Sequence, residues 1–206
     1  MTVELLYAAN PMCSWCWGFA PVVRELGSAY GDRVRITPVL GALSLGDGPL
    51  APDAMASLRH HWERVQGLTG QPFDVGFLER QGFVYDTEPA CRAVAVVRAL
   101  REDRALPFLE AVQEAFYAKG EDVTRPGVLQ RLAEAAEVDG PAFARMFASP
   151  EARTAVAREF ADVAALGVTG YPTLLGLAEG RARVLSLGCR PLAAVEADLA
   201  RLLASA

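Results

Sequence analysis

No stretch of the 206-residue chain approaches the roughly 18 consecutive apolar residues that a membrane-spanning helix needs. Lysine is almost missing: of 20 basic residues all but Lys119 are arginine, and they form no cluster. With a formal net charge of −5, this excludes nucleic acid or an anionic lipid surface as the main partner. The start of the chain has no basic segment, carries the acidic Glu4 where one would belong, and offers in residues 5–9 too short an apolar stretch for a signal-peptide core. A soluble, cytoplasmic protein is expected. The chain lacks a phosphate loop, a Ser-His-Asp set, internal repeats and low-complexity segments. Cysteines number only four, which in a reducing compartment does not make a disulfide framework; a CxxC pair there points to redox catalysis or to a metal.

What is present suits one large domain, or a domain with an insertion. Apolar residues make up 52%, enough for a packed core. Residues 2–9 read as a buried strand. Phe19, Val22, Val23, Leu26 and Tyr30 then recur at helical spacing up to Gly31-Asp32, with Pro21 inside the helix and predicted to kink it. Residues 33–37 alternate at period two and predict a second strand, so the opening is βαβ with a parallel strand pair.

From Pro52 to about Pro150 only helical patterns are found, over 54–65, after Thr87-Glu88-Pro89, and over 105–118, 127–137 and 142–148. Thr87 reads as an N-cap with an acid and a proline in the first turn. Ser149-Pro150-Glu151 opens a longer helix that ends at Gly167. Residues 173–178 and 182–187 read as a hairpin around Glu179-Gly180, and 192–203 as a closing helix. The expected class is α/β, ordered βαβ, helical insertion, αββα.

The chemistry concentrates in Asn-Pro-Met-Cys-Ser-Trp-Cys-Trp-Gly-Phe, residues 10–19, at the first strand-to-helix turn. Cys13 and Cys16 lie one turn apart on one helix face, close enough for a disulfide. Cys13 sits where unpaired N–H groups and the helix dipole favour a thiolate, the nucleophile of thiol–disulfide exchange. Cys16, one turn deeper, would resolve a mixed disulfide on Cys13, with Ser14 and Trp15 between them tuning the potential. The second piece is Thr169-Gly170-Tyr171-Pro172-Thr173, where a cis Tyr171–Pro172 bond suits the sharp turn into a strand. A proline there has no N–H to compete for the sulfurs and leaves an edge for an extended peptide.

A CxxC at a βα turn, a helical insertion and a later Gly-x-Pro-Thr before a hairpin and a final helix resemble the thioredoxin-fold DsbA family. Residues 10–19 resemble its FrnE-like cytoplasmic branch, although Asn10 departs from the Asp more usual there. The resemblance covers nearly the whole chain in element order, and specifically residues 10–19, 87–94 and 168–174. It implies a thioredoxin-like domain from 1–48 and 150–206 with a helical insertion domain at 49–149. It also implies Cys13 as nucleophile, Cys16 as resolving thiol and Pro172 as the cis-proline facing them. The implied partners are thiol- or disulfide-containing proteins or low-molecular-weight thiols, with no cofactor. Trp15, Trp17, Tyr171 and Thr169 are the candidate substrate-binding residues.

Three rivals stand beside this. Zinc wants four N/S ligands, usually as two close pairs, and the further donors Cys91, Cys189, His60 and His61 supply no second CxxC or spaced His pair, so no metal is expected. Cys91 and Cys189 read as packing cysteines, and His60-His61 as a solvated helix face. Thr87-Glu88-Pro89-Ala90-Cys91-Arg92-Ala93 also resembles 2-hydroxychromene-2-carboxylate isomerases and kappa-class glutathione transferases. Those carry a serine at the Cys13 position and lack the second cysteine, so both cysteines here favour redox chemistry. A chaperone-like module binding partners through Trp15, Trp17 and Tyr171 is the third.

Overall fold

The computed structural model describes residues 2–178 and 181–204. Strand β1 (Val3–Ala9) leads into helix α1 (Ser14–Tyr30) and back to β2 (Val34–Leu40), which pairs parallel to β1 from Val3↔Val34 to Ala9↔Leu40. On the other side β1 pairs antiparallel with β5 (Thr173–Ala178), and β5 with β6 (Arg181–Leu187), giving the order β2-β1-β5-β6. Expected strand and helix boundaries here agree within a few residues. The expected Glu179-Gly180 turn lies outside the described residues.

Period two sorts β1 onto two faces. Val3, Leu5, Tyr7 and Ala9 join the main buried cluster with Phe19, Val23 and Leu26 of α1 and Val195 and Leu199 of α8 (Leu192–Ala204). Leu6 and Ala8 face a second cluster formed by Val163 of α7 (Pro150–Ala165) and Leu175 of β5. The central strand is thus covered on both sides, as its nearly unbroken apolar run requires.

Between β2 and α7 the chain builds α2 (Pro52–Thr69), α3 (Glu88–Leu100), α4 (Ala105–Tyr117), α5 (Pro126–Ala135) and α6 (Gly140–Ala148). Trp62 of α2, fully buried, anchors an aromatic cluster with ring centroids 5.5 Å from Phe73, 5.5 Å from Phe116 and 5.0 Å from Tyr117. Each such edge or tilted pair adds about 0.5–1.5 kcal/mol beyond its buried area. Arg98 of α3 forks onto Glu159 of α7 at 2.8 and 2.6 Å and donates to Pro38 O at 2.6 Å, while Glu159 Oε1 accepts from Leu40 N at 2.9 Å. One ion pair therefore fastens two helices to the end of β2.

Two details depart from expectation. The block read as all-helical contains a strand, β4 (Val84–Asp86), antiparallel to β3 (Leu45–Pro49). Three residues are too few to show a period, and Gly46, Gly48 and Pro49 have the composition of a loop. Thr87 makes no side-chain cap. It is already in αR backbone conformation (φ −93°, ψ −7°), and Asp86 Oδ1 instead accepts from Glu88 N at 3.0 Å. Pro21 lies inside α1 as expected, and the Trp17 carbonyl that the proline cannot serve accepts from Gln71 Nε2 at 2.9 Å. The other end signals act as read: Ser149 Oγ accepts from Ala152 N at 3.1 Å, and Gly167, at φ +79°, ends α7.

Candidate active site

The turn after β1 is set by Asn10. Its backbone carbonyl accepts from Cys13 N at 3.0 Å, and its side-chain Oδ1 accepts from Met12 N at 2.8 Å, an Asx turn. The amide nitrogen faces Gly41 O at 2.9 Å, Thr87 Oγ1 at 3.0 Å and Cys91 Sγ at 3.3 Å. Gly41 O can only accept and Met12 N can only donate, so the network itself fixes the amide orientation. A carboxylate could not donate to Gly41, which gives Asn10 its physical reason. Cys91 is thereby tied into the scaffold, fully buried.

Cys13 occupies the N-cap position of α1 with extended backbone (φ −94°, ψ 114°), and Cys16 follows one turn in. Cys13 is 6% exposed and Cys16 is sealed at 0%. Both are free thiols. A hydrogen bond from the Cys16 thiol, helped by the N–H groups of Cys16 and Trp15, lowers the Cys13 pKa against the opposing effect of burial. Burial first, then the hydrogen bond and charge of Cys13, push the Cys16 thiol well up. The two sulfurs are thus driven in opposite directions by one shared geometry. Glu4, Glu25 and Asp32 are exposed.

The loop 169–172 comes back over this turn. The Tyr171–Pro172 bond is cis, and the Cys13 thiol donates to the Tyr171 carbonyl at 3.6 Å. Thr173 Oγ1 donates to Gly170 O at 2.8 Å, fixing the corner, and Pro172 O accepts from Gly188 N at 2.8 Å. The Tyr171 ring, half-buried, lies on Gly41, where a Cβ would sit 1.8 Å from the phenol oxygen. Tyr171 and buried Pro172 are therefore brought to the sulfurs, and Thr169 is exposed beside them. Trp15 is half-buried, its ring set edge-on to His61 of α2 at 5.9 Å and 82°. Trp17 corrects the expected docking set: it is 5% exposed, with its indole N–H on Pro72 O at 3.0 Å, and has no free face for a substrate.

Several neighbours were not singled out from the sequence. Tyr7 of β1 donates to Cys16 O at 3.3 Å, and Tyr85 of β4 donates to Met12 O. Burial, then the charge of the cysteines, raises the Tyr7 phenol well above its usual range, so it stays a neutral donor. Tyr7 was within reach, because the strand period puts it on the α1 face. His61 was not, since its contact joins residues 46 positions apart in different elements. Half-buried, it is held below the ordinary histidine pKa by burial first, then by Arg64 and His60. The expected solvated face thus holds for His60 alone, which is exposed. Among the described residues no three His, Cys, Asp or Glu side chains converge as a metal site would.

A βαβ–ββα sheet in this order, with two thiols at the first βα turn and an X–Pro loop over them, defines a thioredoxin-class fold. The chain belongs to the DSBA-like thioredoxin domain family, whose model matches residues 10–200. A putative protein disulfide isomerase from Nitrosomonas europaea superposes with TM-score 0.90 at 35% identity, covering 99% of this chain and 98% of that one. The cytosolic disulfide reductase DsbM from Pseudomonas aeruginosa superposes with TM-score 0.80 at 27% identity over 98% and 100% of the two chains, and a structure of it with GSH is similar as well. A curated relative, the ClpXP adapter protein SpxH of Bacillus licheniformis, is 25% identical over 84% of this chain. The chain spans 57% of the length of that relative.

Proposed function

We propose that the protein is a thiol–disulfide oxidoreductase in which Cys13 attacks and Cys16 resolves, working on protein or low-molecular-weight thiols in the reducing cytoplasm. The observation that carries this is the split within the pair: the Cys13 sulfur, slightly exposed and facing the Tyr171 carbonyl, is lowered, while the sealed Cys16 is raised. A nucleophile must be a thiolate near neutral pH, and a resolving thiol must stay protonated until the mixed disulfide exists. The similar DsbM, a cytosolic disulfide reductase with a structure containing GSH, supports the compartment and the thiol class. The place in the FrnE-like branch rests on residues 10–19.

The cycle needs only these groups. The Cys13 thiolate attacks one sulfur of a substrate disulfide, and the other leaves as a thiolate that takes up a proton. Once Cys13 is in the mixed disulfide its charge no longer holds Cys16 up. Cys16 then loses its proton, attacks Cys13 Sγ and expels the second substrate thiolate. The substrate gains two electrons and the pair becomes a disulfide, which two thiols of a reductant such as glutathione return to dithiol. Run backwards, the same steps oxidise a dithiol substrate. Tyr171, Thr169 and Trp15 line the approach, and residues 49–149 form the wall above it through His61 and Tyr85.

The test is insulin reduction with glutathione as reductant, alongside reactivation of scrambled ribonuclease. Wild-type protein should turn over, and Cys13→Ser should abolish it. Activity that survives Cys13→Ser would sink the assignment.

A further inference from the structure

The two remaining cysteines differ in kind. Cys91 is fully buried and engaged by the Asn10 amide. Cys189 is half-buried, and no step above uses it. It follows β6 in a turn that Gly188 makes in the left-handed region, at φ +72°. That turn is fastened to the loop over the sulfurs: Thr173 pairs with Leu187, and Gly188 N donates to Pro172 O at 2.8 Å. Pro172 follows Tyr171, whose carbonyl accepts the Cys13 thiol at 3.6 Å. Cys189 also packs on the same buried cluster as Cys13 and Cys16. The fold thus brings three thiols from positions 13, 16 and 189 to one end of the sheet.

We propose that Cys189 is a second resolving thiol, closing a Cys13–Cys189 disulfide when the Cys16 thiol is absent. This rests on Cys13 being the nucleophile, as proposed above. The electrostatics give the order of events. Burial raises the Cys189 thiol, and the charge of Cys13 adds to it, so Cys189 stays protonated while Cys13 is a thiolate. A mixed disulfide on Cys13 removes that charge, and Cys189 ionises more easily just when a resolving thiolate is needed. With glutathione disulfide as oxidant the steps balance. The Cys13 thiolate forms Cys13–S–S–glutathione and releases one glutathione. The Cys189 thiolate then attacks Cys13 Sγ, breaks that bond and releases the second. Two protein thiols lose two electrons, and one glutathione disulfide becomes two glutathione molecules.

The experiment uses the full chain as Cys16→Ala and as Cys16→Ala/Cys189→Ser. Each is mixed with glutathione disulfide, quenched in acid at intervals and peptide-mapped by mass spectrometry without reduction. The expected result is a transient Cys13–glutathione adduct in Cys16→Ala that gives way to a linked Cys13–Cys189 peptide. In the double variant the adduct should live at least about tenfold longer, having no thiol to displace it. An adduct that persists in Cys16→Ala with Cys189 still free overturns the proposal. If Cys13 acquires no glutathione and no link in either variant, both this proposal and the assignment of Cys13 as nucleophile fall.

Discussion

The side-chain amide of Asn10 donates to the carbonyl of Gly41 at 2.9 Å, tying the turn that carries both sulfurs to the end of β2. Through the same amide the turn also meets Thr87 and Cys91 of the segment leading into and forming α3. Asn10→Asp should therefore be an informative change. A carboxylate can donate only when protonated, and this site is fully buried, so its pKa in the folded protein should be raised. A raised folded pKa gives stability that is present at low pH and lost as pH rises through that value. At pH 7 the loss should be about 1–3 kcal/mol, shrinking towards pH 4, as read from urea midpoints. Equal losses at both pH values would refute this role for the amide.

Removing Cys16 should make Cys13 less acidic. The largest influence lowering the Cys13 pKa is the hydrogen bond from the Cys16 thiol. In wild-type protein the alkylation rate of Cys13 by iodoacetamide should rise with pH along a curve whose midpoint lies below that of an ordinary cysteine thiol. In Cys16→Ala the midpoint should move upward. The sign follows directly: a lost donor to the thiolate costs the charged form and spares the thiol. A midpoint unchanged in the variant would mean that backbone N–H groups alone hold the thiolate.

Gly41→Ala should separate activity from stability. A Cβ at position 41 would lie 1.8 to 2.3 Å from the phenol end of Tyr171, which must swing away. Because that neighbour is the tip of a side chain, the protein should still fold, within about 1 kcal/mol of wild type. Turnover of a peptide disulfide should fall, since Tyr171 no longer lines the approach to Cys13. Unchanged kcat/KM in a folded variant would remove Tyr171 from the substrate surface.

Glu159→Ala should be the costly change away from the sulfurs. It strips both prongs of the Arg98 fork and the carboxylate acceptor of Leu40 N. Arg98 and Glu159 side chains are 23% and 14% exposed, so water softens but does not cancel the loss. A destabilisation of about 2–3 kcal/mol is expected by urea unfolding at pH 7, and Glu159→Gln, which keeps an acceptor, should lose less. A change below about 0.5 kcal/mol would place the pair among ordinary surface contacts.

The long periodic elements were legible along the chain, because a helix face or a strand face repeats within its own few turns. That covers β1, α1, β2, α7, the β5 and β6 strands and α8, as well as Cys13 and Cys16 at the first turn and Pro172 far downstream. What escaped depends on partners distant in the chain. Strand β4 exists only because β3 pairs with it, and Thr87 gives up its capping role because Ser44 and Asn10 claim its hydroxyl. Trp17 reads like Trp15 on paper, yet the helix turns it towards Pro72 and leaves Trp15 against His61.

The order of the central-sheet strands and their flanking helices, and the spacing of two thiols at a helix start, are legible in the chain because they are local and follow from backbone geometry. Packing across the fold adds the depth at which each thiol is buried, the job of Asn10 and the approach of Cys189. Asn10 and Gly41 are 31 residues apart and Cys13 and Tyr171 are 158 apart, so neither contact is written in the local pattern of the chain.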